Sequence, residues 1–273
     1  MLDLVIIIAY LIAVTLLGIR LSGRMRNSRD YFLGGKNLPW WAVCLSVVAT
    51  ETSTLTFISI PGLAYLTNLN FLQLALGYII GRIIISFVFL PSYYRGDLKT
   101  SYELLYNRYG TEVRQFSSVL FLITRLLADG VRLFATAIPL AIMTGWSLPL
   151  CIVLIAAFTI LYTSIGGIRS VVWIDVIQTF IYVGGAIIAG LYILNHLPGG
   201  WSDVVRAAAP ENKFQIFNLG FGTSLSGFFQ INYTLLSSLL GGAFLSMASH
   251  GTDQIIVCLL YTSDAADESV GVD

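Results

Sequence analysis

Apolar residues in this chain gather into long uninterrupted stretches instead of alternating with polar ones. Seven such stretches occupy 2–19, 39–66, 71–93, 116–144, 148–164, 171–194 and 223–246. A helix rises about 1.5 Å per residue and the hydrocarbon core of a bilayer is about 30 Å thick, so about 20 mostly apolar residues cross it. Strands are excluded on two grounds: the runs do not alternate, and open strand edges are not tolerated in lipid. The pattern predicts an all-α polytopic membrane protein with seven transmembrane helices.

Composition agrees. The chain is 56% hydrophobic and 11% charged, whereas a soluble domain is about a quarter charged. Its formal net charge is zero, which supplies no argument for a nucleic-acid partner. Cys44, Cys151 and Cys258 are scattered, and His196 and His250 lie far apart, so neither a disulfide framework nor a Cys/His metal site is expected. No phosphate-binding glycine loop, HExxH or GxSxG motif is present, so an enzyme is not expected either. The first apolar run lacks a basic leader and a small-residue cleavage pattern, and Arg20 follows it, as in a first spanning helix rather than a signal peptide.

Charge placement orients these spans. The loop after the first span holds Arg20, Arg24, Arg26, Arg29 and Lys36; the loop after the third holds Arg95, Lys99, Arg108 and Arg114; Arg169 follows the fifth. Only Arg206 and Lys213, in the 195–222 loop, lie on the other side. The positive-inside rule then predicts a multi-pass protein of the inner (plasma) membrane with its N-terminus outside. Trp40, Trp41, Tyr93, Tyr94 and Trp201 fall where interfacial aromatic belts belong, and Gly184, Gly185 and Gly190 are expected to permit close helix packing.

Polar groups inside a span are costly and usually face a cavity or a partner. The second span carries five in succession, Thr50-Glu51-Thr52-Ser53-Thr54, then Thr56 and Pro61-Gly62. An unwound helix there would offer carbonyl and hydroxyl oxygens to an alkali cation, as broken helices do in many secondary transporters. The competing reading is an intact helix whose hydroxyls bond back to carbonyls at i−4. Glu51 and Ser53 are candidates for lining a solute cavity.

In the fourth span Arg125, Asp129 and Arg132 share one helix face by their spacing. They form either an ion-pair ladder or, since one acid cannot neutralise two arginines, a site for an anionic group. Arg82 in the third span adds a further cation, which could equally pair with Glu51. Asp175 sits near the start of the sixth span, where the helix dipole alone would favour an acid; attracting a cation is the alternative.

At these positions the chain resembles the sodium:solute symporter family, over residues 30–257. The resemblance is carried by Asp30-Tyr31-Phe32-Leu33-Gly34-Gly35, by Ser46-Val47-Val48-Ala49-Thr50-Glu51-Thr52-Ser53, and by Thr100-Ser101-Tyr102-Glu103-Leu104-Leu105-Tyr106-Asn107-Arg108-Tyr109-Gly110. It continues through the stretch from Gly166-Gly167 to Asp175 and Gln178, and ends in Gly251-Thr252-Asp253-Gln254. It implies a LeuT-type inverted-repeat core: one extra N-terminal helix, a complete first repeat of five helices, and the first helix of a second. It further implies sodium bound by the backbone carbonyls of Ala49 and Thr52, an exit-path role for Asp175, and solute contact at Thr56. The remaining sodium ligands would lie beyond residue 273.

The resemblance to the family stops at Val257, and Cys258-Leu259-Leu260-Tyr261-Thr262-Ser263-Asp264-Ala265-Ala266-Asp267-Glu268 resembles translated sequencing adapter. The expectation is a truncated membrane domain over 1–257 and a non-native tail over 258–273. The parent protein is expected to import a small organic solute, with a carboxylate favoured, with Na+ as coupling ion and no other cofactor, by alternating access. The fragment alone is expected to be inactive. Open alternatives are a symporter for sugars, polyols or amino acids, and the membrane sensor domain of a transporter-like signalling kinase. The expected partners are the solute, Na+ and the lipid bilayer, with no nucleic acid.

Overall fold

Every regular element among the described residues is a helix, as long apolar stretches in lipid require. The computed structural model describes residues 2–21, 31, 38–91, 101–220 and 230–260. In chain order the helices are α1 Leu2–Leu21, α2 Trp40–Glu51, α3 Thr54–Leu66, α4 Gln73–Ile84, α5 Ser101–Tyr109, α6 Thr111–Thr144, α7 Leu148–His196, α8 Trp201–Ala208, α9 Leu235–Ser246 and α10 Gln254–Leu260. A 3-10 turn at Asn70–Leu72 precedes α4 and a π turn at Ile85–Phe89 extends it. A second π turn, Met247–Gly251, extends α9.

The expected seven spans in a LeuT-type inverted-repeat arrangement are not what the described residues form. Four helices are long and apolar enough to cross a membrane: Leu2–Leu21, Asn70–Phe89, Thr111–Thr144 and Leu148–His196. A fifth is reached only if α2 and α3, bent by 62° at their junction, are counted as one broken span. The physical reasons are local. Helix runs on through the stretch expected as a loop between 164 and 171, so the two expected spans form one apolar element, Leu148–His196, made of two helices joined at a kink where the Gly167 backbone leaves helical geometry (φ 56°, ψ −165°). Of the expected 223–246 span, the described helix begins at Leu235, and with its π turn to Gly251 it reaches about 25 Å at 1.5 Å per residue, against a core of about 30 Å.

The chain divides into two units. The first comprises 1–57, 98–182 and 258–273. Its core packs Ala42 and Val43 of α2 and the preceding Leu38 against Val172 and Val176 of α7 and Leu259 of α10. Trp41 and Trp173 meet edge to face beside it, with ring centroids 5.6 Å apart. The first helix docks through its smallest residue: Ser170 Oγ donates to the Gly18 carbonyl at 2.8 Å, and a Cβ on Gly18 would lie 2.8 Å from the Ile174 side chain. Most of the remaining α1 side chains are exposed, among them Val5, Ile6, Ile12 and Leu16. Lipid tails solvate such groups as well as another protein would, so exposure there carries no penalty.

The second unit comprises 58–97 and 183–257. Its centre is the close contact of α4 with α9 through small residues. A Cβ on Gly242 would lie 2.7 Å from the Leu74 carbonyl oxygen and 3.0 Å from Gly77 Cα; one on Gly81 would meet the Ala243 carbonyl at 2.6 Å. Small side chains let backbones approach, and van der Waals packing then replaces the hydrophobic drive that lipid abolishes. The glycines expected in this role are different ones: a Cβ on Gly184, Gly185 or Gly190 meets nothing within 4 Å. Gln73 anchors the start of α4. Its side chain is fully buried, donates to the carbonyls of Asn70 (3.0 Å) and Tyr233 (2.7 Å), and accepts from the Asn218 amide (3.1 Å).

Positions 261–273 of the expected non-native tail lie outside the described residues, as do the run 30–35 apart from Tyr31, and Arg24, Arg26, Arg29, Lys36, Arg95 and Lys99 of the loop-charge argument.

Candidate functional site at the broken helix

The polar run interrupts its helix. The last residue of α2 is Glu51; Thr52 turns to extended backbone (φ −85°, ψ 94°), and α3 begins at Thr54. The Thr52 amide still reaches the Val48 carbonyl at 3.0 Å, and the Phe57 amide reaches Ser53 at 3.1 Å. Among the described residues no backbone amide donates to the carbonyl oxygens of Ala49 or Thr52. A helix end leaves such acceptors over, and two carbonyl oxygens at one break are hard ligands of the kind a small cation takes.

The helix is thus not intact, yet two of its hydroxyls show the back-bonding that an intact helix would have. Thr50 Oγ1 donates back to the Ser46 carbonyl and Thr52 Oγ1 to that of Val48, each at 2.9 Å, which is the i−4 pattern. Ser53 Oγ instead caps the start of α3, accepting from the Thr56 amide at 3.4 Å. Thr54 Oγ1 lies 2.9 Å from Thr136 Oγ1 of α6. The hydroxyls are thus engaged locally and the backbone carbonyls are what the break sets free.

Asp175 lies beside this break. Ser46, one turn before it in α2, is fully buried and donates from Oγ to Asp175 Oδ2 at 2.5 Å. The helix dipole does not account for the acid: Asp175 comes two turns after Gly167, where helical geometry resumes, and the dipole's influence fades within the first turn. What places it is the packing of α7 on α2, seen in Val172 and Val176 against Ala42 and Val43.

On α6 Arg125, Asp129 and Arg132 form an ion-pair ladder. Arg125 Nε donates to Asp129 Oδ2 at 2.9 Å, and Arg132 Nη1 lies 3.6 Å from Asp129 Oδ1. Thr136 continues the same stripe one turn on, donating to the Arg132 carbonyl at 2.8 Å. Through the Thr136–Thr54 pair, the charged face of α6 runs to the first turn after the break. Glu51, Ser53, Thr56, Arg125, Asp129, Arg132 and Asp175 all belong to the first unit, while Arg82, on α4, belongs to the second. Sequence reasoning passed over Ser46 and Thr136 as site residues. Thr136 had a signal, its spacing of four from Arg132; Ser46 had none, because its partner lies 129 positions away.

A profile of the sodium:solute symporter family matches residues 31–268. The chain belongs to that family. Among curated symporters of this kind, it is 30% identical over 267 residues to the sodium/sialic acid symporter SiaT of Proteus mirabilis, covering 97% of this chain and 52% of that protein. It is 28% identical over 271 residues to the sodium/sialic acid symporter NanT of Aliivibrio fischeri, covering 98% and 52%. With the human sodium/iodide cotransporter it shares 27% identity, over 85% of this chain and 35% of that one. A solved structure described as the substrate-bound outward-open state of a Na+-coupled sialic acid symporter superposes with a TM-score of 0.86 at 28% identity, over 99% of this chain and 56% of that one. The chain thus spans about half the length of these curated relatives.

Proposed function

We propose that this chain is part of a sodium-coupled secondary transporter that imports a small carboxylate-bearing solute by alternating access. The observation that carries the reading is the break between α2 and α3, with the Ala49 and Thr52 carbonyls unengaged by backbone amides and the Ser46–Asp175 pair one turn away. Na+ binds at those carbonyls, and Asp175 attracts it along its path to the cytoplasm. Na+ moving inward is driven by about 2.3 kcal/mol per charge per 100 mV of membrane potential. The protein sits in the inner membrane with its N-terminus outside, an orientation supported by the asymmetry of loop charges.

The carboxylate reading is supported by the α6 face, where one acid stands between two arginines, and by relatives named as sodium/sialic acid symporters and sodium-coupled monocarboxylate transporters. Ser53, Thr56 and Glu51 at the break, together with Arg125, Asp129 and Arg132, line the solute cavity. Uptake belongs to the whole protein, of which this chain is a part.

The test is uptake of labelled carboxylates by vesicles carrying the complete protein, under an inward sodium gradient and under potassium in its place. Sodium-dependent accumulation that falls at least tenfold in the Arg125→Ala, Arg132→Ala double variant supports the reading, a loss of about 1.4 kcal/mol or more. Equal uptake in potassium would sink the coupling. Unchanged carboxylate uptake by the double variant would sink the solute assignment.

A further inference from the structure

Beyond the spans, the segment from α8 to Phe214 exposes an apolar surface that the transport reading does not use. Trp201, Val204, Val205 and Ala208 recur at helical spacing along α8, with Ser202, Asp203 and Arg206 on the other side. Trp201 is 60% exposed, and Val205 and Phe214 are exposed beside it. The chain is turned back to bring Phe214 there. Asn212 adopts left-handed backbone (φ 53°), the Lys213 amide donates to the Ala208 carbonyl at 3.1 Å, and the Phe214 and Trp201 rings end 6.0 Å apart.

Two features tie this segment to the ends of membrane-crossing elements. Four residues separate it from the last residue of α7, and that turn is held tight: Asp203 Oδ2 accepts from the Gly199 amide at 2.7 Å, and Ser202 Oγ donates to the Gly199 carbonyl at 2.6 Å. From its other end Lys213 Nζ donates to the Tyr65 carbonyl at 2.7 Å, in the last turn of α3. That carbonyl is one a helix end leaves over, and a cation there also suits the helix dipole. Tyr65 and Leu66 at the same end are themselves exposed.

We propose that α8 and the turn through Phe214 form an interfacial anchor, lying in the plane of the bilayer with Trp201, Val205 and Phe214 in the boundary between headgroups and acyl chains. The chemistry suits this occupant: an apolar face bearing Trp and Phe on an amphipathic helix inserts at that depth, and an indole keeps its N–H at the wet side. Its charges are locally balanced. Arg206 lies 3.5 Å from Asp203 and Lys213 3.2 Å from Glu211. The anchor therefore recognises the apolar boundary of a zwitterionic bilayer and does not depend on anionic lipid.

The test places spin labels on the chain reconstituted in phosphatidylcholine vesicles, with its native cysteines replaced and single cysteines introduced as Trp201→Cys, Val205→Cys or Arg206→Cys. Labels at 201 and 205 are expected to collide with oxygen several-fold more than with a water-soluble nickel chelate, and the label at 206 to do the reverse. Adding phosphatidylglycerol is expected to leave all three depths unchanged. A second measurement spares the helix: brominated lipid should quench the native chain's tryptophan fluorescence more than that of Trp201→Phe. Nickel access at all three positions would overturn the proposal in favour of a solvated segment. Labels at 201 and 205 closed to both reagents would overturn it in favour of a protein partner, and depth that follows anionic lipid would overturn the zwitterionic assignment.

Discussion

The Ser46 hydroxyl donates to the Asp175 carboxylate at 2.5 Å, joining residues 129 positions apart in the chain. Ser46 is fully buried and stands one turn ahead of the Ala49 carbonyl, so a single hydroxyl links the acid of α7 to the break that ends α2. Removing it would leave the carboxylate oxygen without that donor, a change of about 1–3 kcal/mol when a charged group is concerned.

Ser46→Ala is accordingly expected to raise the sodium concentration for half-maximal uptake by the complete transporter several-fold, while the solute KM at saturating sodium stays near its original value. Ser46→Thr keeps the hydroxyl and should restore most of the sodium response. An equal rise in both constants would show that Ser46 acts only through general packing.

Asp129→Asn separates a structural ladder from a recognition site. The side chains of the ladder are partly exposed, Asp129 at 49%, and pairs of that kind are worth about 0.2–1 kcal/mol. Thermal stability in detergent should therefore move little, while releasing Arg125 and Arg132 should change the KM for a carboxylate several-fold. A large loss of stability with an unaltered KM would mark the ladder as purely structural.

Gly242→Ala should destabilise the protein by about 1–3 kcal/mol, the usual range for inserting a methyl into a well-packed contact. Its new Cβ would sit 2.7 Å from the Leu74 carbonyl oxygen, which a backbone cannot readily withdraw. Gly185→Ala serves as the control because it meets nothing within 4 Å. The unfolding midpoint in detergent should fall for the first and hold or rise slightly for the second. Equal midpoints would contradict the packing of α4 on α9.

Gln73→Leu removes three hydrogen bonds to backbone groups, at Asn70, Tyr233 and Asn218. Leaving buried backbone groups unsatisfied costs about 1–3 kcal/mol each. The expected outcome is faster proteolysis next to Asn218 and Tyr233 with the cores of the long helices still protected. Cleavage rates matching the native chain would show that Asn218 and Tyr233 are held by other contacts.

The sequence alone determined that the chain is helical and membrane-bound, because apolar length and the demand for internal backbone hydrogen bonding in lipid act locally, residue by residue. It also located the interruption at Thr50-Glu51-Thr52-Ser53-Thr54 and the shared face of Arg125, Asp129 and Arg132, since both depend only on neighbours within one or two turns. Tertiary structure decided the rest. That the stretch around Gly167 joins two helices at a kink with no loop between them could not be read from composition, and the count of separate spans changes there. Which glycines mark a contact depended on what stands opposite them, so Gly77, Gly81 and Gly242 could not be told from Gly184, Gly185 and Gly190 in advance. The pairing of Ser46 with Asp175 was likewise invisible, because a hydrogen bond between distant segments is fixed by how two helices pack and leaves no local trace.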